Sequence, residues 1–190
     1  MRKGSIQAVS FDEVAHRYFY EGRELCGVTQ AIARRLGKTF PKSTAVELAC
    51  SYGSQIHKEV ERWIVEGKEP ETENGSWVKD ALIDFQRKVG NEKTQKLGAE
   101  VRVSDFENTA SNVDVVLHVP EGVFLFDIKT GAFDRSYCTL QLNAYRLMYA
   151  NSYGEEVLGM YVLGTKSRRI FTVYACEDEV ILRLLRENHK

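Results

Sequence analysis

Asp127 and Lys129 stand two residues apart at the end of an apolar run, VFLFDIKT. Successive side chains of a strand point to opposite faces, so these two share a face with Val123 and Leu125, while Phe124, Phe126 and Ile128 share the other. The aromatic face is the natural core side, and the face of Asp127 turns polar only at its end, where charges reach a cleft. In the preceding run, SNVDVVLHV, Asn112, Asp114, Val116 and His118 share a face, and VPEG between the runs is a turn. A hairpin with Pro120 and Glu121 at its tip pairs His118 with Val123 and sets Asp114 opposite Asp127. Cross-strand partners have Cβ atoms about 4.5–5.5 Å apart. Two carboxylates that close repel, and one protonates near neutrality unless a cation lies between them. Oxygen ligands at this spacing suit Mg²⁺ or Mn²⁺. The plainer reading is a surface Asp–Lys pair at a strand end.

Other residues join the pair. In QLNAY, Gln141 and Tyr145 are four apart and lie one above the other on a helix face. GSQIH places His57 beside an apolar helical stripe of Leu48, Ile56 and Val60, where a lone histidine is more often structural. Glu100, at the head of another strand-like run, is expected to be an ordinary solvated side chain, with a role as a second-metal ligand as its alternative. Cys26, Cys50, Cys138 and Cys176 show no ligand spacing and read as buried or half-buried thiols of a reducing compartment.

The elements that must position these residues follow from the pattern. SIQAVSFDEVAHRYFYEGREL alternates as a small hairpin with Glu21-Gly22 as its turn. GVTQAIARRLG reads as a short helix with Thr29 as N-cap and Gly37 as stop. A long helix starts at Ser43 or Thr44 and closes at Gly67, with Leu48, Tyr52, Ile56, Val60 and Trp63 or Ile64 on one stripe. ETENGS reads as a loop and WVKDALIDFQRKVG as a helix. Three strands follow (GAEVRVSD, SNVDVVLHV, VFLFDIKT), then the helix CTLQLNAYRLMYANSYG, two strands and a last helix with acidic residues in its first turn. The order is helices, then βββ-α-ββ-α, an α/β arrangement around a mixed sheet.

The chain has 190 residues, 43% hydrophobic and 28% charged, the balance of a globular protein. That length predicts one domain over 1–190, with the hairpin and short helix in 1–40 and the core in 43–190. No apolar run is long enough for a membrane span and the basic N-terminus has no apolar signal core, so an intracellular, cytoplasmic location without membrane contact is expected. A net charge of −1 leaves any nucleic-acid affinity to a local groove. The clusters ARRLGK and TKSRR read as solvated faces; Arg135, in the loop before the QLNAY helix, is an exposed arginine without a role or, if the chain meets nucleic acid, a phosphate contact ahead of Arg146.

Taken in order, the motifs resemble those of the PD-(D/E)XK nucleases of the RecB-like branch, in the layout of phage-type exonucleases and the mitochondrial genome-maintenance exonuclease. GSQIH resembles the branch's upstream histidine motif, SNVD its G-x-x-D motif, DIKTG its (D/E)-x-K motif and QLNAY its Q-x-x-x-Y motif. HRYFYEGRELCGVTQAI is similar to the N-terminal segment of many phage members. Ser111 stands where glycine is usual, and Asp127 where many relatives have glutamate. The resemblance implies a restriction-endonuclease-like core, a central mixed β-sheet flanked by helices. It implies a Mg²⁺- or Mn²⁺-dependent deoxyribonuclease, in most cases an exonuclease at DNA ends, serving repair, recombination or phage DNA processing. His57, Asp114, Asp127 and the main-chain carbonyl of Ile128 would hold the metal; Lys129 would orient or deprotonate the attacking water, its pKa lowered for the second task. Gln141 and Tyr145 would line the cleft. Only Cys176 lies beyond QLNAY, so the iron–sulfur cluster of some relatives is not expected. Some relatives form rings on DNA, so a homo-oligomer or a recombination partner protein stays open. The alternative is a catalytically inactive DNA-binding or inhibitor module on the same fold.

Overall fold

Alternation and turn chemistry at the N-terminus build three strands where a two-stranded hairpin is expected: β1 (Val9–Asp12), β2 (Arg17–Tyr20) and β3 (Arg23–Gly27), each antiparallel to the next. The computed structural model describes residues 1, 3–37 and 44–186, with 44–49 by their backbone alone. Glu21 and Gly22 form the β2–β3 turn, both at positive φ as a two-residue hairpin turn demands. The β1–β2 turn carries no glycine and escapes the pattern. Asp12 makes it by accepting hydrogen bonds from the Val14 and Ala15 amides, with His16 left-handed.

Helix α1 (Val28–Arg35) begins directly after β3, with Gly27 as N-cap in place of the expected Thr29 and no side-chain cap. Gly37, at φ +59, stands just past its end as expected. Helix α2 runs over Thr44–Glu66. Its stripe buries Ile56 and Val60, whereas Tyr52 is exposed; Ser43 and the Leu48 side chain lie outside the described residues. Helix α3 (Glu73–Val89) starts inside the stretch read as a loop. Thr72 caps it by accepting from the Gly75 amide, and the buried Glu59 carboxylate of α2 accepts from both the Thr72 amide and hydroxyl. That tertiary anchor outweighs the weak helix propensity of Asn74 and Gly75.

The strands β4 (Lys96–Ser104), β5 (Thr109–Val119) and β6 (Gly122–Lys129) follow, then α4 (Arg135–Tyr153), β7 (Val157–Gly164), β8 (Arg169–Val173) and α5 (Asp178–Arg186). Helix α4 begins earlier than read, because Asp134 accepts from the Ser136 and Tyr137 amides; Arg135 is therefore helical. The eight strands form one mixed sheet in the order β1-β2-β3-β5-β6-β7-β8, with β4 on the other edge of β5. β6 and β7 are parallel, as are β3 and β5. Helices flank this sheet on both faces, the expected α/β arrangement around a mixed sheet.

Both faces of β6 are buried, so the aromatic face is not the only core side. Val123 and Leu125 pack with α1, α4 and α5, while Phe126 and Ile128 pack with α2 and α3. β4 runs along one edge of β5. The other edge is divided: β3 pairs with Thr109 and Ala110, and β6 pairs with Val115 through Val119. Residues 111–114 face neither strand. An opening in the sheet therefore falls at the SNVD motif.

Candidate active site

The expected hairpin register holds, with His118 opposite Val123 and Pro120-Glu121 at the tip, but the β5–β6 ladder ends at Val115 and Phe126. Asp114 and Asp127 are the next residues in that register and lie where the strands part. Asp114 uses its Oδ2 to accept from the Ile128 amide at 2.6 Å. A strand residue directs its N–H and C=O to the same edge, so the Ile128 carbonyl also faces the opening.

The alternation that grouped Asn112, Asp114 and Val116 breaks here. Val113 and Val116 pack toward α4 while Val115 packs toward α2 and α3. Opposite Asp114, the β4–β5 pairing skips Glu100, whose φ is +49. A non-glycine residue held left-handed inside a strand marks local strain. Glu100 is thereby brought into the site, and the reading of it as a solvated side chain is corrected.

His57 reaches the same place from α2, with Nδ1 at 3.5 Å from Asp114 Oδ1 and 4.0 Å from Glu100 Oε1. One ligand atom from each of His57, Glu100 and Asp114 lies within 4.8 Å of the others. Burial disfavours the imidazolium, but Asp114 more than offsets it and His57 is pushed up to about 9. Burial and repulsion from Asp114 push Glu100 up to about 7. Burial also opposes ionisation of Asp114, yet His57 holds it below the ordinary carboxylate range. Glu100 is the strained member of the cluster, its carboxylate pressed against Asp114 while His57 balances the Asp114 charge.

A second group adjoins it. Asp127 is fully buried, and Lys129 Nζ lies 3.0 Å from its Oδ1 and 2.8 Å from its Oδ2. Oδ2 is out of line for a hydrogen bond and has no partner of that kind. Burial pushes Asp127 up to about 6 despite the lysine. Lys129 also donates to Gln141 Oε1 at 3.0 Å, and the Gln141 amide donates to Tyr145 Oη at 2.8 Å. Burial disfavours its ammonium, but Asp127 and Asp114 raise its pKa well above the usual value. That is opposite to the lowering a lysine base requires, so without a cation Lys129 is a firm positive charge.

The structure thus brings His57, Asp114, Asp127, Ile128, Lys129, Gln141 and Tyr145 to one opening, in two groups that meet at Asp114. Glu100 is the residue that sequence pattern undervalues. Arg146 is turned away from the cleft, paired with Asp178 of α5 and with Asn143. Arg135, at the start of α4, is exposed, its guanidinium over the Phe171 ring. Of the clusters read as solvated, Arg168 is engaged, donating to Glu73 and lying over Trp77, and Lys38 is outside the described residues. Cys138 is buried but Cys50 is exposed, which corrects that part of the thiol reading.

No family model and no curated protein matches the sequence. Among solved structures, the chain is similar to a candidate exonuclease from Eubacterium rectale, at 12% identity and a TM-score of 0.41, covering 87% of this chain and 83% of that one. It is also similar to the protein SSO0001, at 10% identity and a TM-score of 0.36, covering 85% and 82%. No helix among the described residues is long and apolar enough to cross a membrane.

Proposed function

We propose that this chain is a metal-dependent deoxyribonuclease that hydrolyses phosphodiester bonds. The observation that carries the reading is the meeting of two ionisable groups, His57–Glu100–Asp114 and Asp127–Lys129, where β5 and β6 part. The residues fit a hard divalent cation: carboxylate oxygens, one imidazole, a main-chain carbonyl facing the opening and a buried Asp127 oxygen without a hydrogen-bond donor. His57, Asp114, Asp127 and the Ile128 carbonyl would hold it, with Glu100 as a further ligand. Bound there, Mg²⁺ or Mn²⁺ would neutralise phosphate charge and make a water a stronger nucleophile.

The chain's own groups supply the rest. Lys129 is held between Asp127 and Gln141, so its ammonium is preorganised to hydrogen-bond the attacking water and to face the charge that grows on the phosphate oxygens. Gln141 fixes that ammonium, and Tyr145 fixes Gln141. The finer reading, an exonuclease acting at DNA ends, draws only on the phage-like layout of the motifs. Location inside the cell and service in repair, recombination or phage DNA processing belong to the same reading.

End-labelled single- and double-stranded DNA incubated with Mg²⁺, Mn²⁺ or EDTA tests it. Cleavage with either metal is expected, lost in EDTA and in Asp114→Asn. Metal-independent cleavage, or DNA binding without cleavage under every condition, would overturn the enzyme reading in favour of a binding module.

A further inference from the structure

The backbone does not set the distance between Ser111 on β5 and Lys129 on β6, because the ladder between these strands stops short of both. Side chains span the opening instead. Lys129 donates to Gln141, Gln141 donates to Tyr145 Oη, and Tyr145 Oη shares a hydrogen bond with Ser111 Oγ at 3.3 Å. Ser111, Gln141 and Tyr145 are all buried, so water competes poorly for these bonds. The amide orientation is forced. An ammonium has only donors, so Gln141 Oε1 must face Lys129 and its NH₂ must face Tyr145.

We propose that Ser111 is a positioning residue for Lys129, acting through Tyr145 and Gln141. Without the Ser111 hydroxyl, Tyr145 Oη loses a partner in a place too dry for a ready substitute. The Gln141 amide then has a less fixed acceptor, and Lys129 is tied firmly only to Asp127 on its own strand. Its ammonium is no longer referenced to β5, the strand that carries Asp114. A misplacement of about 1 Å can cost a hundredfold in rate. The catalytic consequence rests on the nuclease reading of Lys129, whereas the chain of contacts does not.

The test separates the two. Ser111→Ala is expected to lower kcat on labelled DNA in Mn²⁺ by about tenfold or more, with KM and Mn²⁺ affinity unchanged. In a Tyr145→Phe background the same substitution is expected to cost nothing further, since the link is already broken. In protein without metal, Ser111→Ala is expected to shift the Gln141 side-chain NH₂ signals in NMR spectra, assigned by their loss in Gln141→Met. Unmoved Gln141 signals overturn the proposal, and so do Ser111 and Tyr145 losses that multiply independently. If the unaltered protein cleaves no DNA, the nuclease reading falls, and the Gln141 signals alone then uphold or overturn the chain of contacts.

Discussion

Glu100 carries two separate penalties, a left-handed backbone and a carboxylate pressed against Asp114. The backbone penalty for a non-glycine residue is about 1–3 kcal/mol. Glu100→Gly removes both, so without metal this variant is expected to melt higher than the unaltered protein while binding Mn²⁺ more weakly; calorimetry and thermal melts check the two halves. The same cluster sets a pH dependence. Glu100 rises from 4.5 in the unfolded chain to about 7, so its contribution is full below 4.5 and is lost as pH climbs through 7. His57 rises from 6.5 to about 9, and its contribution is likewise lost as pH climbs through 9. Asp114, held low, acts the other way and only in acid, below 3.8. The melting temperature in EDTA is therefore expected to fall from about pH 5 to about pH 9. Saturating Mn²⁺ should offset the fall, since metal takes the deprotonated ligands. A melting temperature that rises over that range in EDTA would count against the clustered charges.

Helix α2 delivers His57, and two glycines decide how closely its neighbours approach. Gly53, one turn before His57, faces the end of β6, where an added Cβ would lie 3.1 Å from Thr130 Oγ1. Gly75 of α3 faces α2, where an added Cβ would lie 2.5 Å from Glu59 Oε2 and 2.9 Å from Pro70 Cβ. The two positions separate site from scaffold. Gly53→Leu is expected to push α2 off β6, carrying His57 from Asp114 and weakening Mn²⁺ binding about tenfold. Gly75→Ala is expected to cost about 1–3 kcal/mol by overpacking the Glu59–Thr72 anchor, with Mn²⁺ affinity retained. Urea unfolding and calorimetry on both variants check the contrast, and equal effects on metal affinity would refute it.

At the scale of the molecule, a net charge of −1 offers DNA no general attraction. Under the nuclease reading, affinity comes from a local group of cations. Arg135 sits at the first position of α4, exposed, on the same helix as Gln141 and Tyr145. Removing one phosphate contact lowers the slope of log K against log [salt] by about one and weakens all sequences alike. That result is expected for Arg135→Ala in Ca²⁺, measured by salt-titrated binding of a labelled oligonucleotide. An unchanged slope would place the DNA path on another side of the cleft. Arg146, locked to α5 by Asp178, is expected to affect stability rather than this slope.

Strands, most helices and the hairpin register were legible in the sequence because they rest on local rules: alternation along β5 and β6, the two-residue tip at Pro120-Glu121, the glycine after α1. Asp127 and Lys129 were legible for the same reason, since two residues on one strand share a face in any fold. Sequence pattern starts helix α3 four residues late, because its true start depends on the Glu59 carboxylate of another helix. Thr29 resembles a cap because nothing local shows that β3 enters α1 directly. Glu100 was undervalued because a left-handed residue inside a strand breaks the period on which pattern reading relies. Where β5 leaves β3 and has not yet met β6 is a matter of which strands pair at long range. That opening, with the carboxylates left facing it, was decided by the tertiary structure alone. Residue types and local order set what chemistry the chain can hold; long-range pairing set where these groups meet.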